Sequence, residues 1–570
     1  MRHRSYLVGA TIGLFAWVAI ASTPAKATPC TNLQSLQLPD TMITSATDNT
    51  TGVFTPPGST PITGLPAFCR VTASLIPTSD SNIKIEVWLP ETTWNGRFLG
   101  TGGGGFQGVI TYGELAIGIQ NGFAATNSDL GTGSSGCSPL YCGSDGNMGN
   151  PLATEFGDPS SPSTGLFGHP ERIKDFGYRA IHLMTVRGKE IANAFYGRNA
   201  NKAYFAGCST GGQNALMEAQ RFPNDYNGIL AGAAAFNRTH LHMAGLASWQ
   251  DTHASASRFI LPGQMSLINK AVLAQCVGRD GGASTDQFLT DPRDCQFDPK
   301  ALLCGTGGNV PPACLTADQV TTIQKYYAGT IDPVTGQVIN PGSERGNETD
   351  NLFALGLEFQ ENLPEPAFDG LFYWVFGAGF GQPGSAVNFA NFDFHSDVVT
   401  VDNQLATVLN AVSSDLSVFR DHGGKLLMYH GWADPLIPSQ SSINYFNALV
   451  SAENSDLQQA SFGPGDVGLG ETQKYARLFM VPGMYHCSGG PGPNVFDALT
   501  PLVTWVESGV APETIVATTT PPAVQMTRPL CVYPKVARYS GSGSPSIAAN
   551  FTCVADEPDF NQTPAPKYGP

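Results

Sequence analysis

The chain has 570 residues, too many for one simple core, so two or three structural units are expected. It is 41% hydrophobic, 10% aromatic and 13% charged, the balance of a globular protein rather than of a long disordered one. The net charge of −16 comes with no basic cluster able to follow a phosphate backbone, which argues against nucleic acid as a partner.

The N-terminus reads Met1-Arg2-His3-Arg4, is apolar from Tyr6 to Ala21, and reaches Ala25-Lys26-Ala27. A basic start, an apolar core and a small-x-small exit form a secretory signal over 1–27, cut after Ala27. Gly9, Thr11 and Gly13 interrupt the apolar run, which weighs against a membrane anchor. No later stretch reaches the roughly 20 apolar residues that span a bilayer, so no membrane partner is expected. All twelve cysteines lie beyond Ala27, in keeping with an oxidising, secreted or periplasmic location. Short separations suggest Cys276 with Cys295, Cys304 with Cys314, Cys531 with Cys553 and Cys137 with Cys142, leaving Cys30, Cys69, Cys208 and Cys487. Cys-x2-Cys pairs are absent, so zinc has little support.

From Ile83 to Leu89 apolar and polar residues alternate, the period of a half-buried strand. Arg97 to Gly100 then leads into Thr101-Gly102-Gly103-Gly104-Gly105-Phe106. That loop lacks the Lys-Ser/Thr of a P-loop and the spacing of a dinucleotide fingerprint. It reads either as a flexible surface loop or as one that brings a bare backbone N–H close to a reacting carbonyl. Gly122 to Thr126 suggests another strand, followed by a Gly-, Ser- and Pro-rich loop to Gly168 and a helix from Asp175 to Tyr196. A strand from Ala203 to Ala206 enters Gly207-Cys208-Ser209-Thr210-Gly211, with a helix from Asn214 to Arg221. The turn fits Gly-x-Ser-x-Gly, which lifts a serine hydroxyl clear of a sheet, although 65 glycines make the match weak by itself. Tyr226 to Ala235 has the composition of a buried parallel strand. Strands alternating with helices imply an α/β fold, a doubly wound sheet with its site at the carboxyl ends of the strands.

At Asn237 the pattern breaks into short helices, cysteine staples and turns, and 237–398 reads as an inserted, disulfide-stapled lid domain. Thr316-Ala317-Asp318-Gln319 is a capping box for a helix toward Tyr327. Between Phe353 and Phe394 aromatics crowd together, among them Phe372, Tyr373, Trp374, Phe376 and Phe380, as core or as pocket lining. The sheet resumes at Lys425 to His430 and runs into Gly431-Trp432-Ala433-Asp434-Pro435. A helix over Ser439 to Val450, a strand over Ala476 to Val481, the loop Pro482 to Cys487 and a helix over Asn494 to Glu507 close the chain. The sheet domain is thus divided into 28–236 and 399–570.

A serine hydroxyl is a poor nucleophile at neutral pH and needs a base in hydrogen-bond reach, itself oriented by a carboxylate. Of the ten histidines, His486 alone follows His430, and Asp434 directly follows a strand end. Taken singly, Asp434 is a turn former before Pro435 and His486 a loop histidine. Together with Ser209 they fall in the order nucleophile, acid, base, each after a successive strand. The oxyanion site would combine the N–H of Thr210 with that of Gly104 or Gly105. Cys208 precedes the serine and Cys487 follows the histidine. A bond between them would tether nucleophile and base loops; an unpaired buried cysteine is the alternative.

These residues resemble the tannase and feruloyl esterase family of α/β-hydrolases. The likeness rests on Gly207-Cys208-Ser209-Thr210-Gly211-Gly212, Gly431-Trp432-Ala433-Asp434-Pro435-Leu436-Ile437-Pro438 and Gly483-Met484-Tyr485-His486-Cys487. It extends to Phe222-Pro223-Asn224-Asp225-Tyr226-Asn227-Gly228-Ile229, Trp94-Asn95-Gly96-Arg97-Phe98 and Thr527-Arg528-Pro529-Leu530-Cys531, nearly the whole mature chain. The resemblance implies a Ser209, Asp434, His486 triad beside a Cys208–Cys487 disulfide, with no cofactor required for the chemistry. It also implies a structural calcium in the lid, held by Asp280 and Asp286 with the carbonyls of Gly282 and Phe288. Val277 replaces the family's first acidic ligand, which weakens such a site. The substrate implied is a small aromatic ester: a gallate, a hydroxycinnamate or, as in one relative, mono(2-hydroxyethyl) terephthalate held by a lid arginine. No arginine lies between Arg345 and Arg420, so a neutral phenolic acyl group is favoured. The expected function is that of a secreted serine carboxylic ester hydrolase acting on phenolic esters. A terephthalate monoester hydrolase, a peptidase and a non-catalytic secreted binding protein are the alternatives.

Overall fold

The computed structural model describes residues 28–106, 108–132, 170–305, 310–349, 380, 387–456, 467–520 and 525–556. The signal segment 1–27, Cys137 with Cys142, and Phe372, Tyr373, Trp374 and Phe376 lie outside the described residues.

A nine-stranded sheet organises the molecule. Its strands in chain order are β1 (Thr41–Asn49), β2 (Phe68–Leu75), β3 (Ile83–Pro90), β4 (Arg97–Thr101), β5 (Ala124–Ser128), β6 (Lys202–Cys208), β7 (Gly228–Gly232), β8 (Lys425–Gly431) and β9 (Ala476–Val481). In space they run β1-β2-β3-β5-β4-β6-β7-β8-β9. Pairing is antiparallel from β1 to β5 and parallel from β5 onward, so the strands nearest the candidate site share one direction. Among the main helices are α1 (Tyr112–Gln120), α2 (Ala180–Tyr196), α3 (Thr210–Arg221), α4 (Arg238–His253), α5 (Pro262–Cys276), α6 (Ala317–Ala328), α7 (Ser396–Leu409), α8 (Gln440–Asp456) and α9 (Leu499–Ser508).

The pleat explains the near-continuous apolar runs of the central strands. Along β9, Leu478 and Met480 enter the core shared with α2, α3 and α8, whereas Phe479 and Val481 enter the one shared with α9. Leu426 and Met428 alternate with Leu427 in β8 in the same way. Helices therefore cover both faces, which is the doubly wound arrangement expected.

Between β7 and β8 no described residue joins the large sheet. α5 and α6 build a separate cluster there, with Ile268, Val272, Leu315 and Ile323 buried. α4 and α7 instead pack Met243, Leu246, Val401 and Leu405 into the main core. Thr316 caps α6 through a capping box with Gln319, as its spacing predicts. The turn after Cys276 and the two short disulfides Cys276–Cys295 and Cys304–Cys314 complete this stretch. Cys531–Cys553, Cys30–Cys69 and Cys208–Cys487 are also bonded. Among the described residues no helix is long and apolar enough to cross a membrane.

Boundaries differ from the sequence reading where local contacts override composition. α3 starts at Thr210 rather than Asn214, because the elbow passes straight into helix. The closing helix starts at Leu499, since Asn494 and Val495 are held in a bridge by the backbone of Thr518.

Candidate active site

β6 ends at Cys208 and α3 begins at Thr210, leaving Ser209 alone to make the turn. It does so with φ 64° and ψ −120°, a conformation L side chains rarely adopt. Small neighbours make the turn possible. A Cβ on Gly207 would lie 2.5 Å from the Gly211 carbonyl, and one on Gly102 would lie 2.5 Å from the Gly211 Cα.

The structure brings the three residues of the expected order together. Ser209 Oγ donates to His486 Nε2 at 2.9 Å, and His486 Nδ1 donates to Asp434 Oδ2 at 2.7 Å. Because a carboxylate only accepts, Asp434 fixes the imidazole proton on Nδ1 and leaves Nε2 free to accept. Asp434 sits just beyond β8 with no exposed surface. Burial acts to raise its carboxyl, but the electrostatic pull of His486 and the hydrogen bonds from His430 and His486 outweigh burial and hold it well below the usual range. Cys487, at φ 60°, is bonded to Cys208, so the turn that carries Ser209 and the loop that carries His486 are covalently joined.

The glycine loop lies against the same turn. Gly102 N–H donates to Ala206 O at 3.0 Å, Gly211 N–H to Gly103 O at 2.6 Å, and the Thr210 hydroxyl to Gly105 O. Thr210 is the first residue of α3, a position whose N–H has no partner within the helix. Gly104, Gly105, Ser209 and His486 line one cavity of about 1240 Å³. One wall is a face of α4, on which Arg238, Leu241, Gly245 and Ser248 recur every three or four residues.

Three residues near the site escaped the sequence reading. His430 is fully buried, with Nε2 donating to Asp434 Oδ2 at 3.1 Å and Ile437 O at 3.0 Å. Its signal was its place at the end of a strand, four residues before the acid. Arg238 and Arg258 both line the cavity, so the absence of arginine between Arg345 and Arg420 does not leave the cavity without guanidinium groups. Residues bordering a substrate come from wherever the fold folds back, not only from the aromatic half of the insert.

The residues singled out for calcium do not fit an ion. Asp280 Oδ1 accepts from the N–H groups of Gly278 at 3.1 Å and Gly282 at 3.2 Å, and Oδ2 from Thr290 at 2.5 Å. Asp286 Oδ2 accepts from Ala283 N–H at 3.0 Å, and Oδ1 from the Arg528 guanidinium at 2.6 Å. Arg528 is 1% exposed and its charge also lies 5.8 Å from the ring of Phe288, so a cation already occupies this corner. Calcium requires six to eight oxygens, and here both carboxylates are committed to N–H donors.

A model of the tannase and feruloyl esterase family matches residues 69–554. The chain is similar to an uncharacterised esterase of Xanthomonas campestris, at 36% identity over 94% of this chain and 93% of that protein. It is also similar to a probable feruloyl esterase B-1 of Aspergillus oryzae, at 32% identity over 87% of this chain and 85% of that one. The crystal structure of feruloyl esterase B from Aspergillus oryzae superposes with a TM-score of 0.77 at 28% identity, covering 92% of this chain and 99% of that chain. The chain belongs to the tannase and feruloyl esterase family.

Proposed function

We propose that the chain is an exported serine carboxylic ester hydrolase acting on phenolic esters of the hydroxycinnamate or gallate type. Ser209 Oγ attacks the ester carbonyl while its proton passes to His486 Nε2. The carbonyl oxygen becomes an oxyanion between the N–H of Thr210 and that of Gly104 or Gly105. Collapse breaks the ester C–O bond, and the leaving alcohol takes the proton from His486. Water, deprotonated by the same histidine, then attacks the acyl-serine, and the acid leaves as the C–O bond to Ser209 breaks and Ser209 Oγ takes that proton from His486. Asp434 holds the imidazole tautomer throughout. No metal or redox group enters these steps.

The observation that carries this reading is the unbroken chain Ser209 Oγ–His486 Nε2, His486 Nδ1–Asp434 Oδ2 at the wall of a cavity wide enough for an aromatic ester. Family membership supports ester chemistry over peptide chemistry. The disulfides among the described residues, together with the basic-apolar N-terminus, support export. Ser209→Ala is expected to abolish turnover of methyl ferulate, methyl gallate and mono(2-hydroxyethyl) terephthalate with the melting temperature unchanged. A fluorophosphonate is expected to label wild type at Ser209. Retained turnover in the variant, or no adduct on the wild-type serine, sinks the reading. Relative kcat/KM across the three esters assigns the acyl group.

A further inference from the structure

Arg238 opens α4 and is only 4% exposed, yet it lines the active-site cavity. Among the described residues its guanidinium hydrogen-bonds no carboxylate. Nε and Nη2 donate to Gln213 Oε1 at 3.1 and 2.8 Å, and Nη2 donates to Thr210 Oγ1 at 2.6 Å. The rings of Phe106 and Phe176 lie 5.8 and 5.3 Å from its central carbon. Burial pushes the group down to about 9, and it remains a cation at neutral pH. A buried charge without a counter-charge is costly, so fold stability is a poor reason for its presence.

The hydrogen-bond directions are fixed by chemistry. A guanidinium only donates, so the Thr210 hydroxyl accepts from Arg238 and must spend its single proton elsewhere. That proton goes to the carbonyl of Gly105. One hydroxyl thus links the first turn of α3 to the glycine loop, and donation from a charged group strengthens the second bond. The adjacent link, Gly211 N–H to Gly103 O at 2.6 Å, fixes the peptide plane that carries the Gly104 N–H. The phenyl ring next to Gly105 lies against the same guanidinium.

We infer that Arg238 is a positioning residue for the oxyanion site. Through the Thr210 hydroxyl it sets the separation between the Thr210 N–H and the N–H of Gly104 or Gly105. The inference rests on the ester hydrolase reading above and goes beyond it, because it ties a residue from the start of the insert to stabilisation of the transition state rather than to substrate binding.

The test compares Arg238→Met, Arg238→Lys, Thr210→Val, Thr210→Ser and the Arg238→Met/Thr210→Val double variant, each checked for an unchanged melting curve. Readouts are kcat and KM for methyl ferulate and the inhibition constant of an aryl boronic acid, which mimics the tetrahedral intermediate. Arg238→Met is expected to lower kcat on the order of 10²-fold, the scale of a small misplacement of catalytic groups, with KM within about threefold. Boronate affinity should fall in parallel. Thr210→Val should lose as much, the double variant no more than either, and Thr210→Ser and Arg238→Lys should recover part of the loss. If Arg238→Met does not fold, the Thr210→Val and Thr210→Ser pair decides, since only the hydroxyl differs in role between them. An unchanged kcat, a change confined to KM, or losses that multiply in the double variant overturn the inference alone. A wild type without Ser209-dependent turnover overturns the ester hydrolase reading and this inference with it.

Discussion

Four hydrogen bonds converge on the carboxylate of Asp434. Oδ1 accepts from the N–H groups of Leu436 and Ile437, both at 2.9 Å, and Oδ2 accepts from His486 at 2.7 Å and His430 at 3.1 Å. His430 Nε2 faces two acceptors, Asp434 Oδ2 and Ile437 O, so it must carry a proton. Its Nδ1 lies 2.7 Å from Ser442 Oγ, which orients the ring. A hydrogen bond to a charged group is worth about 1.5–3 kcal/mol, or one to two powers of ten. His430→Ala is therefore expected to lower kcat about tenfold to a hundredfold, because Asp434 Oδ2 loses its second donor and can turn away from His486. Asp434→Asn should lose on the order of 10⁴-fold, since the amide favours the wrong tautomer of the base. Steady-state rates on one ester check both, and a His430→Ala enzyme as fast as wild type removes the histidine from the acid's support.

At the opposite end of α3 from Ser209, helices α2 and α3 meet the turn before β7 around a buried acid. Glu218 has no exposed surface, and neither carboxylate oxygen has a hydrogen-bond donor. Asp225 faces it from the turn, with His182 of α2 bonded to Asp225 at 2.7 Å, and Lys189 of α2 bonded to the Asp225 carbonyl. Tyr226 lies beside the group, its hydroxyl on Thr185. Burial first, then the charge of Asp225, raise the Glu218 carboxyl well above its usual range, against the opposing charge of Lys189. The folded state therefore binds this proton more tightly than the unfolded chain does. Its contribution to stability is full below the unfolded value near 4.3 and is lost as pH rises toward the folded one. Glu218→Gln keeps the shape without the titration, so its melting temperature should gain on wild type by about 1–3 °C between pH 5 and pH 8. Parallel melting curves across that range would exclude a raised Glu218. The elbow and its flanking strand and helix were legible because period and small residues coincide there, β3 followed from its alternation, and β6, β8 and β9 from apolar runs. β1 and β2 were not anticipated: at the sheet edge β1 buries only Ile43 and Ala46, three residues apart among exposed and half-exposed side chains, so its composition carries no clear alternation.

Across the molecule, Cys208–Cys487 closes a sequence separation of 279 residues. The chain-entropy estimate for such a loop is about 5 kcal/mol. Replacing both cysteines with serine is expected to lower the apparent melting temperature by roughly 5 °C and kcat by a larger factor than KM changes, because the base loop loses its tether. Differential scanning calorimetry with steady-state rates checks this, and an unchanged curve together with an unchanged kcat refutes it. The order of Ser209, Asp434 and His486 was readable because each follows a strand end in one chain direction. His430 and Arg238 were not, because what matters in them is which buried partner they face, a property of packing rather than of spacing. The sheet also has a seam. β7 and β8 lie side by side, Gly228 opposite Lys425 and Gly232 opposite Tyr429, although the whole insert intervenes between them in the chain. The chain departs and returns along one line, and closing a longer loop adds free energy only with the logarithm of its length. The α5–α6 cluster between β7 and β8 can therefore change in length without moving the register of a single strand, whereas α4 and α7, packed into the main core, are tied to the sheet. The same line is where a graft from a relative would replace most of one cavity wall and leave the reacting hydroxyl where it stands.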